Sequence, residues 1–307
     1  MTRSTDPFTR SPPLAPRYWP TWLLLGAAVV LAWLPRRVQR GLGQWLGALL
    51  YCLARTRRRV VETNLALCLP ELDPDHRAAL AREHFREIGR GLFEFLRAWW
   101  GGLDGLPARS RFSGLEHLAA ARASGRGVIL LSGHFVHFEL CGRLLCRHTS
   151  AAAMYRPMKS PVLDWAVQRG RLRYAEAVFP REALRPAVRY LRRGGVLWFA
   201  PDQDSLRGES VFVPFFGRPA WSLTSTHQLA RLSGAAVVPF RHRRRRDGDG
   251  FEIELSAPLA DFPGPDPVTD TARVMAEIEK MVRRAPAEYL WLHRRFKRQP
   301  AGVEPPY

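Results

Sequence analysis

The sequence between Gly127 and Leu140, GVILLSGHFVHFEL, decides the fold. Its first part, Gly127 to Ser132, is an uncharged apolar run with the length of a buried strand. A helix is predicted from about Val136 to Cys146, so a strand gives way to a helix within a few residues. In α/β proteins ligands bind at the carboxyl edge of the parallel sheet. His134 follows this strand directly, and the sequence therefore predicts that it belongs to a functional site.

The segments on either side repeat this alternation of strand and helix. Further strands are predicted at Ala151 to Tyr155, Val196 to Ala200 and Ala235 to Phe240, and helices at Leu115 to Ala121, Val162 to Leu172, Ala183 to Arg193 and Ser225 to Leu232. A long helix is predicted to begin with Asp73 as its N-cap and Pro74 as its first residue, and to end at Gly101 and Gly102. This order predicts an α/β fold with a largely parallel central sheet flanked by helices.

The composition restricts the class of protein and of partner. The chain has 307 residues, of which 46% are hydrophobic and 24% charged, which excludes disorder as its main state. Lys and Arg number 47 against 28 for Asp and Glu, a net charge of +19 that favours an anionic partner: nucleic acid, an anionic membrane surface or an acidic protein. The four cysteines form no Cys-x-x-Cys pair, so neither a zinc site nor a disulfide framework is predicted.

The amino-terminal region is predicted to bind a membrane. Trp19 to Leu34 is a run of 16 residues without a charge, about 24 Å long as a helix, against a hydrocarbon core of about 30 Å. It either spans by thinning the bilayer or lies obliquely in one leaflet. Arginines after the run, Arg36, Arg37 and Arg40, predict that the bulk of the chain is cytoplasmic.

A second helix continues this region. Its apolar residues fall on one stripe, which either packs in the core or contacts the membrane; they are Leu42, Trp45, Leu46, Leu49, Leu50 and Leu53. The predicted organisation is a tail (1–18), a membrane anchor helix (19–34), an amphipathic basic surface segment (35–60), a catalytic domain (61–298) and a second tail (299–307).

The residue types after the first strand indicate acid–base chemistry. A neutral histidine such as His134 can take a proton from an alcohol, and a carboxylate beside its other ring nitrogen fixes the tautomer. Glu139 is the predicted carboxylate. No serine or cysteine sits in a nucleophile-elbow sequence, so direct attack by a substrate hydroxyl is the predicted mechanism. His137, between Phe135 and Phe138, is predicted to pack.

The arginine run Arg241 to Arg246, RHRRRR, is predicted to be a solvated hairpin tip between Val237 to Phe240 and Phe251 to Leu255. The alternative is a nucleic-acid patch on a membrane-tethered protein. No flanking aromatic residues are available for base stacking, and that interpretation leaves His134 and Glu139 unexplained.

Several segments resemble one known family, the late acyltransferases of lipid A biosynthesis (the lauroyl and myristoyl transferases), within the membrane acyltransferases that use a His-x4-Asp or His-x4-Glu motif. The resemblance covers nearly the whole chain. The segments that carry it are Asn64 to Pro70 (NLALCLP), Gly133 to Leu140 (GHFVHFEL), Arg169 to Arg173 (RGRLR), Val196 to Asp204 (VLWFAPDQD), Val213 to Gly217 (VPFFG), Leu232 to Ala236 (LSGAA) and Ala285 to Arg298 (APAEYLWLHRRFKR).

The resemblance implies transfer of a fatty acyl chain from acyl carrier protein to a hydroxyl of a Kdo-bearing lipid A precursor, at the cytoplasmic face of the inner membrane. It implies that His134 is the general base, that Glu139 orients it, and that Arg171 and Asp202 are also needed. From the residues alone, Arg171 holds a phosphate or the developing oxyanion, and Asp202 positions it or is a turn residue. No cofactor, metal or nucleic acid is expected. The alternative is another glycolipid or phospholipid acceptor.

Overall fold

The computed structural model describes residues 11–205, 208–247 and 249–307. Its helices are α1 Trp19–Trp33, α2 Arg36–Leu53, α3 Arg55–Cys68, α4 Pro74–Trp100, α5 Leu106–Arg109, α6 Leu115–Ala123, α7 Phe138–Leu145, α8 Pro161–Arg171, α9 Leu184–Arg192, α10 Ser225–Ser233 and α11 Pro267–Arg284. Its strands are β1 Arg111–Ser113, β2 Val128–Leu131, β3 Ala152–Tyr155, β4 Ala177–Pro180, β5 Val196–Phe199, β6 Ser210–Phe215, β7 Arg218–Leu223, β8 Ala236–Arg244 and β9 Phe251–Leu255.

Seven of these strands form one sheet in the order β1-β9-β8-β2-β5-β3-β4. Every neighbouring pair is parallel except β8 and β9. All four residues of β2 are buried, Val128 and Leu130 in one apolar cluster and Ile129 and Leu131 in another. The sheet therefore has an apolar layer on both faces, and the predicted α/β fold with a largely parallel sheet is confirmed. The antiparallel pair β6 and β7 was not predicted.

The register of β2 and β5 determines where the site lies. Leu131, the last residue of β2, pairs with Phe199, the last residue of β5, in a parallel arrangement. Parallel strands that end in register deliver the following residues to the same sheet edge. His134 and Asp202 each stand three residues beyond that pair, so the topology brings together two residues that are 68 positions apart in the sequence.

The long helix α4 begins and ends where the sequence predicts. The Asp73 side chain caps it by accepting from the backbone N–H of His76 at 2.9 Å, Pro74 is its first residue, and Gly101 ends it. Its middle packs so closely on α2 that a Cβ at Gly89 would lie 1.9 Å from the backbone oxygen of Gly43. The α2 helix therefore turns its glycine face to α4.

Most of the apolar stripe of α2 consequently faces outward. Leu42, Trp45, Leu49 and Leu53 are exposed, whereas Leu46 is half-buried and Leu50 packs against the main apolar cluster, so both alternatives hold for part of the stripe. Large apolar side chains are exposed along α1 as well, including Leu23 and Val30. The boundary predicted at residue 60 falls inside α3, which continues to Cys68.

The α1 helix has 15 residues. Across residues 11–205, 208–247 and 249–307, no helix is long and apolar enough to cross a bilayer. A spanning helix at residues 19–34, one of the two alternatives above, is therefore not supported.

The predicted hairpin is confirmed, since β8 and β9 pair antiparallel, but most of the arginine run is not at its tip, because β8 continues through Arg244 and only Arg245 and Arg246 lie in the turn. The Arg244 guanidinium donates to Glu87 at 2.9 Å and to Glu94, and its backbone N–H donates to Glu288 at 3.1 Å. Arg241 and Arg243 are paired with acidic residues of β9, Glu254 and Glu252. The run is thus mostly neutralised within the fold, since each inward-facing arginine meets the carboxylates of a neighbouring element.

Candidate active site

His134 and Asp202 form a hydrogen-bonded pair at the carboxyl edge of the sheet. Nδ1 of His134 donates to Oδ1 of Asp202 at 2.6 Å, and the His134 backbone N–H donates to Oδ2 at 2.9 Å. Both carboxylate oxygens are therefore occupied by the same residue. Asp202 is fully buried, whereas the His134 side chain retains a quarter of its exposure. This arrangement fixes the imidazole and leaves Nε2 as the nitrogen for a substrate.

The Asp202 carboxylate stays ionised despite its burial. Burial alone would raise its pKa, but the charge and hydrogen bonds of His134, with a further hydrogen bond from the Tyr289 hydroxyl, outweigh it and lower the pKa to about 2. Burial beside this carboxylate raises the pKa of Tyr289 well above its ordinary value, so the phenol remains a donor. A carboxylate of this kind stabilises the imidazolium that forms when His134 accepts a proton.

The predicted pairing of His134 with Glu139 is wrong, because Glu139 is engaged elsewhere. Its carboxylate accepts two parallel hydrogen bonds from Arg171, both at 2.8 Å, and further bonds from Trp99 and Tyr174, both at 2.6 Å. The physical reason is that α7 begins only at Phe138, and the residues between His134 and this helix form an irregular turn. The first residue of the His-x4-Glu motif, His134, therefore pairs with Asp202, and the last, Glu139, pairs with Arg171.

Glu139 and Arg171 form a buried ion pair that joins α7 to α8. Burial opposes the charge of Glu139, but Arg171, Trp99 and Tyr174 outweigh it, and the pKa of Glu139 is lowered. The pKa of Arg171 is raised: burial acts against it, and the charge and hydrogen bonds of Glu139 prevail. Arg171 also lies over the ring of Phe138, 6.0 Å from its centroid. It is thus a fixed positive charge whose position Glu139 determines.

The turn that carries His134 is fixed by the carboxyl-terminal part of the chain. The backbone N–H of Leu290 donates to the His134 carbonyl at 2.9 Å, and that of Val136 donates to the Glu288 carbonyl at 2.9 Å. The Asn64 amide in turn donates to the carbonyls of Trp291 and His293 at 2.7 and 2.9 Å. Segments that are distant in the sequence therefore fix the position of the turn that carries His134.

His134 lines an apolar cavity of about 660 Å³. Arg171, Phe138 and Trp198 line it too, and the Phe138 and Trp198 rings are stacked with centroids 5.1 Å apart. The remaining wall comes from α1, α4, β3 and α8. An imidazole at the wall of a largely apolar cavity suits a substrate with a long hydrocarbon chain.

His137 lies on the opposite side of the turn and packs as predicted. It is buried, stacks on Phe251 at 5.2 Å and meets His242 at 4.9 Å. One ring nitrogen of each histidine and the thiol of Cys141 lie within 4.8 Å of one another. Burial lowers the pKa of His137 to about 3 and that of His242 well below its ordinary value, so both rings are neutral. They form part of the aromatic packing behind the site.

All four predicted site residues lie at this edge of the sheet, in two separate pairs. Sequence reasoning assigned Asp202 to Arg171, whereas its partner is His134. It missed Trp99, Tyr174 and Tyr289. Tyr289 lies in the carboxyl-terminal segment that carries the family resemblance, so the sequence offered a signal for it. Trp99 and Tyr174 could not be identified from the sequence, because aromatic residues near helix ends are common.

Comparison with known proteins identifies the family. The profile described as bacterial lipid A biosynthesis acyltransferase matches residues 9–298. The lipid A biosynthesis lauroyltransferase of Escherichia coli K12 is 37% identical over 295 residues, 96% of each chain. The palmitoleoyltransferase of the same organism is 36% identical (94% of each chain), and its myristoyltransferase is 27% identical (94% of this chain, 91% of the relative). With a profile match across nearly its whole length and relatives above 30% identity, the chain belongs to the bacterial lipid A biosynthesis acyltransferases.

Proposed function

We propose that the protein transfers a fatty acyl chain from acyl carrier protein to a hydroxyl of a 3-hydroxyacyl chain on a Kdo-bearing lipid A precursor. The observation that carries this proposal is the His134–Asp202 pair at the wall of an apolar cavity. A fixed imidazole supplies the base that an alcohol needs to attack a thioester, and the cavity accommodates hydrocarbon. The family of the chain supports the choice of reaction.

In the proposed mechanism the acceptor hydroxyl attacks the thioester carbon while its proton passes to Nε2 of His134. The ionised Asp202 stabilises the imidazolium that results. The tetrahedral intermediate then collapses, the carbon–sulfur bond breaks, and His134 returns the proton to the departing thiolate. The products are an ester on the acceptor and the free thiol of the carrier, so the histidine is restored in each cycle.

Arg171 and Glu139 have different roles in this proposal. Arg171 is a buried cation on the cavity wall, where it stabilises the negative charge that develops on the attacked carbonyl oxygen or binds an acceptor phosphate. Glu139 does not reach His134, because its oxygens accept from Arg171, Trp99 and Tyr174. We assign it as a positioning residue that fixes the guanidinium.

We also propose that the protein works at the cytoplasmic face of the inner membrane, with residues 19–60 as its membrane-bound segment. Exposed leucine and tryptophan side chains lie along both α1 and α2, and further exposed apolar residues line the cavity of His134; these are Leu24, Leu92, Met158 and Leu163. Many exposed large apolar side chains near a ligand cavity are typical of an enzyme that works at a membrane interface. Binding to vesicles of anionic phospholipid tests this part of the proposal.

The acidic carrier is proposed to dock on arginines near α2. Arg36 and Arg40 of α2 and Arg245 and Arg246 line a second cavity of about 470 Å³, together with glutamates of α4. Arg246 is exposed, whereas Arg36, Arg40 and Arg245 are partly buried and paired with Asp249 or Asp247. Exposed charges steer an acidic protein, and salt weakens that attraction over about 8 Å at physiological ionic strength. Raising the salt concentration should therefore raise KM for the carrier more than it lowers kcat.

The test is reconstitution with purified protein, acyl carrier thioesters and separate acceptors: a Kdo-bearing lipid A precursor, a mannosylated phosphatidylinositol and lysophosphatidic acid. Mass spectrometry then reports which acceptor gains an acyl chain. The proposal expects an ester on the lipid A precursor, formed at least about 10² times more slowly by the His134→Gln protein. Product on another acceptor alone would reassign the substrate, and no product on any acceptor would refute acyl transfer from a carrier.

A further inference from the structure

We propose that α1 is one wall of the cavity that holds the fatty acyl chain of the donor, so that this helix sets the preferred chain length in addition to contacting the membrane. This inference rests on the proposed function, because it takes an acyl carrier thioester as the donor. The argument has three parts: how α1 is attached to the rest of the protein, which of its residues face the cavity, and which substrate the cavity holds.

The carboxyl end of α1 is fixed by buried polar contacts. Arg97 of α4 is buried and donates to the carbonyl of Leu34 at 2.6 Å and to the side chain of Gln39 at 2.8 Å. Gln39 in turn donates to the carbonyl of Leu31 at 2.6 Å. Ala32 is fully buried, and a Cβ at Gly101 would lie 2.4 Å from its carbonyl oxygen. A helix that served only as an anchor would not need such contacts.

The amino-terminal half of α1 is fixed by packing on α8. The ring of Trp22 meets that of Trp165 edge to face, with centroids 5.2 Å apart. Leu25 is buried in a small apolar cluster with Val162 and Ala166 of α8. Because α8 also carries Arg171, the helix that binds α1 is the helix that places the cationic residue of the site.

The residues of α1 that line the cavity are Thr21, Leu24, Leu25 and Ala28. They follow the spacing i, i+3, i+4 and i+7, which is one face of a helix. Leu23 and Ala27 are exposed and do not line the cavity. The helix therefore has two apolar faces with different surroundings: one borders the same cavity as His134, and the other faces outward.

The donor chain is the substrate part that fits this cavity. Its reacting carbon is at the end of a single unbranched chain, so once that carbon is beside Nε2 of His134 the chain must follow the adjoining apolar wall. The acceptor has several acyl chains and charged sugars, which one cavity of about 660 Å³ does not contain. Its chains are expected to remain in the membrane at the exposed rim.

The test compares two adjacent alanines of α1. Ala28 lines the cavity and Ala27 is exposed on the same helix, so Ala28→Leu and Ala27→Leu add the same apolar surface in different places. The measurement is kcat/KM for carrier thioesters with chains of 8 to 16 carbons. We expect Ala28→Leu to lower the ratio of the longest to the shortest chain by about 10-fold or more, as lost methylene space does elsewhere. Ala27→Leu should leave that ratio within about twofold.

A second pair of substitutions, at Leu24 and Leu23, tests the same inference in case the Ala28→Leu protein misfolds. Leu24 and Leu23 are 73% and 76% exposed, so truncating either to alanine costs little stability, yet only Leu24 lines the cavity. Leu24→Ala should shift the preference toward longer chains, and Leu23→Ala should not. If the wild type is active and the two variants of each pair have the same chain-length preference, α1 is not a wall of the acyl-chain cavity. Wild-type protein that uses no carrier thioester would instead refute the proposed function.

Discussion

Nδ1 of His134 lies 2.6 Å from Oδ1 of Asp202, a carboxylate that reaches it from the end of a neighbouring parallel strand. The acid of the pair therefore comes from β5, and the glutamate of the His-x4-Glu motif supports the site from a different direction. Because Asp202 contacts His134 and Glu139 does not, we expect substitution of Asp202 to act mainly on turnover and substitution of Glu139 mainly on stability.

Asp202→Asn should lower kcat about 10²- to 10⁴-fold, because the amide keeps a hydrogen bond but no longer opposes the imidazolium charge. The imidazole tautomer is also no longer fixed by an acceptor. Turnover of a carrier thioester by purified protein measures the effect. An Asp202→Asn protein with wild-type kcat would show that Asp202 is only a turn residue.

The low pKa of Asp202 predicts a specific pH dependence of stability. Its pKa is about 2 in the folded protein against 3.8 ordinarily, so the unfolded state binds more protons between these values. The stabilisation is complete above about pH 4 and is lost as pH falls toward 2, on the order of 2 kcal/mol in all. Urea unfolding from pH 5 to pH 3 should show a shallower decline for Asp202→Asn than for the wild type. Parallel curves would contradict the assignment.

Glu139→Gln should act mainly on stability. The glutamine amide would direct its own N–H groups at the donors of Arg171 and leave a buried cation without a counter-charge. Removing one partner of a buried pair costs about 3 to 5 kcal/mol. Denaturant unfolding measures the loss, and Glu116→Gln on the exposed side of α6 is the matched control. Unchanged stability of Glu139→Gln would contradict the role of Glu139 in joining α7 to α8.

The arginine run gives a further contrast. Arg244→Met removes the cation that Glu87 and Glu94 share; Glu87 keeps its ion pair with Arg90, so we expect a loss of about 3 kcal/mol in the free energy of unfolding, at the low end of the range for a broken buried pair. Arg246 is exposed, and Arg246→Met should change stability by less than about 0.5 kcal/mol. Thermal and urea unfolding distinguish the two. Equal effects would mean that Arg244 lies in solvent, as the sequence first predicts.

Local sequence patterns correctly predicted the helices and strands that are determined by a few neighbouring residues. The uncharged run before His134, the Asp73 and Pro74 cap and the glycine that ends α4 each act on a few neighbouring residues, and all three predictions are confirmed. The hydrogen-bond partners of the site residues could not be predicted from such local patterns. Whether His134 meets Glu139 or Asp202 depends on the register of β2 with β5, a long-range property that residue spacing does not encode.

The sequence also does not show which apolar residues of α1 and α2 face the rest of the protein and which face outward, because this too depends on long-range packing. The stripe on α2 can be assigned to the core or to the membrane only when its neighbour is known, and the glycines Gly43 and Gly47 that pack on α4 carry no hydropathy signal. Likewise, the run at α1 is apolar on all sides, so its sequence does not distinguish the face with Leu24 and Ala28 from the outward face.

The central claim is that His134 is the base of an acyl transfer, and the most direct test is the single-turnover rate of His134→Gln. The substrate is a radiolabelled acyl carrier thioester mixed with a Kdo-bearing lipid A precursor, and wild type and variant are matched for folded protein and vesicle binding. The account predicts a rate 10² to 10⁴ times lower for the variant, about the contribution of a positioned general base, with unchanged binding of the carrier. A His134→Gln protein that forms the ester at the wild-type rate would contradict it.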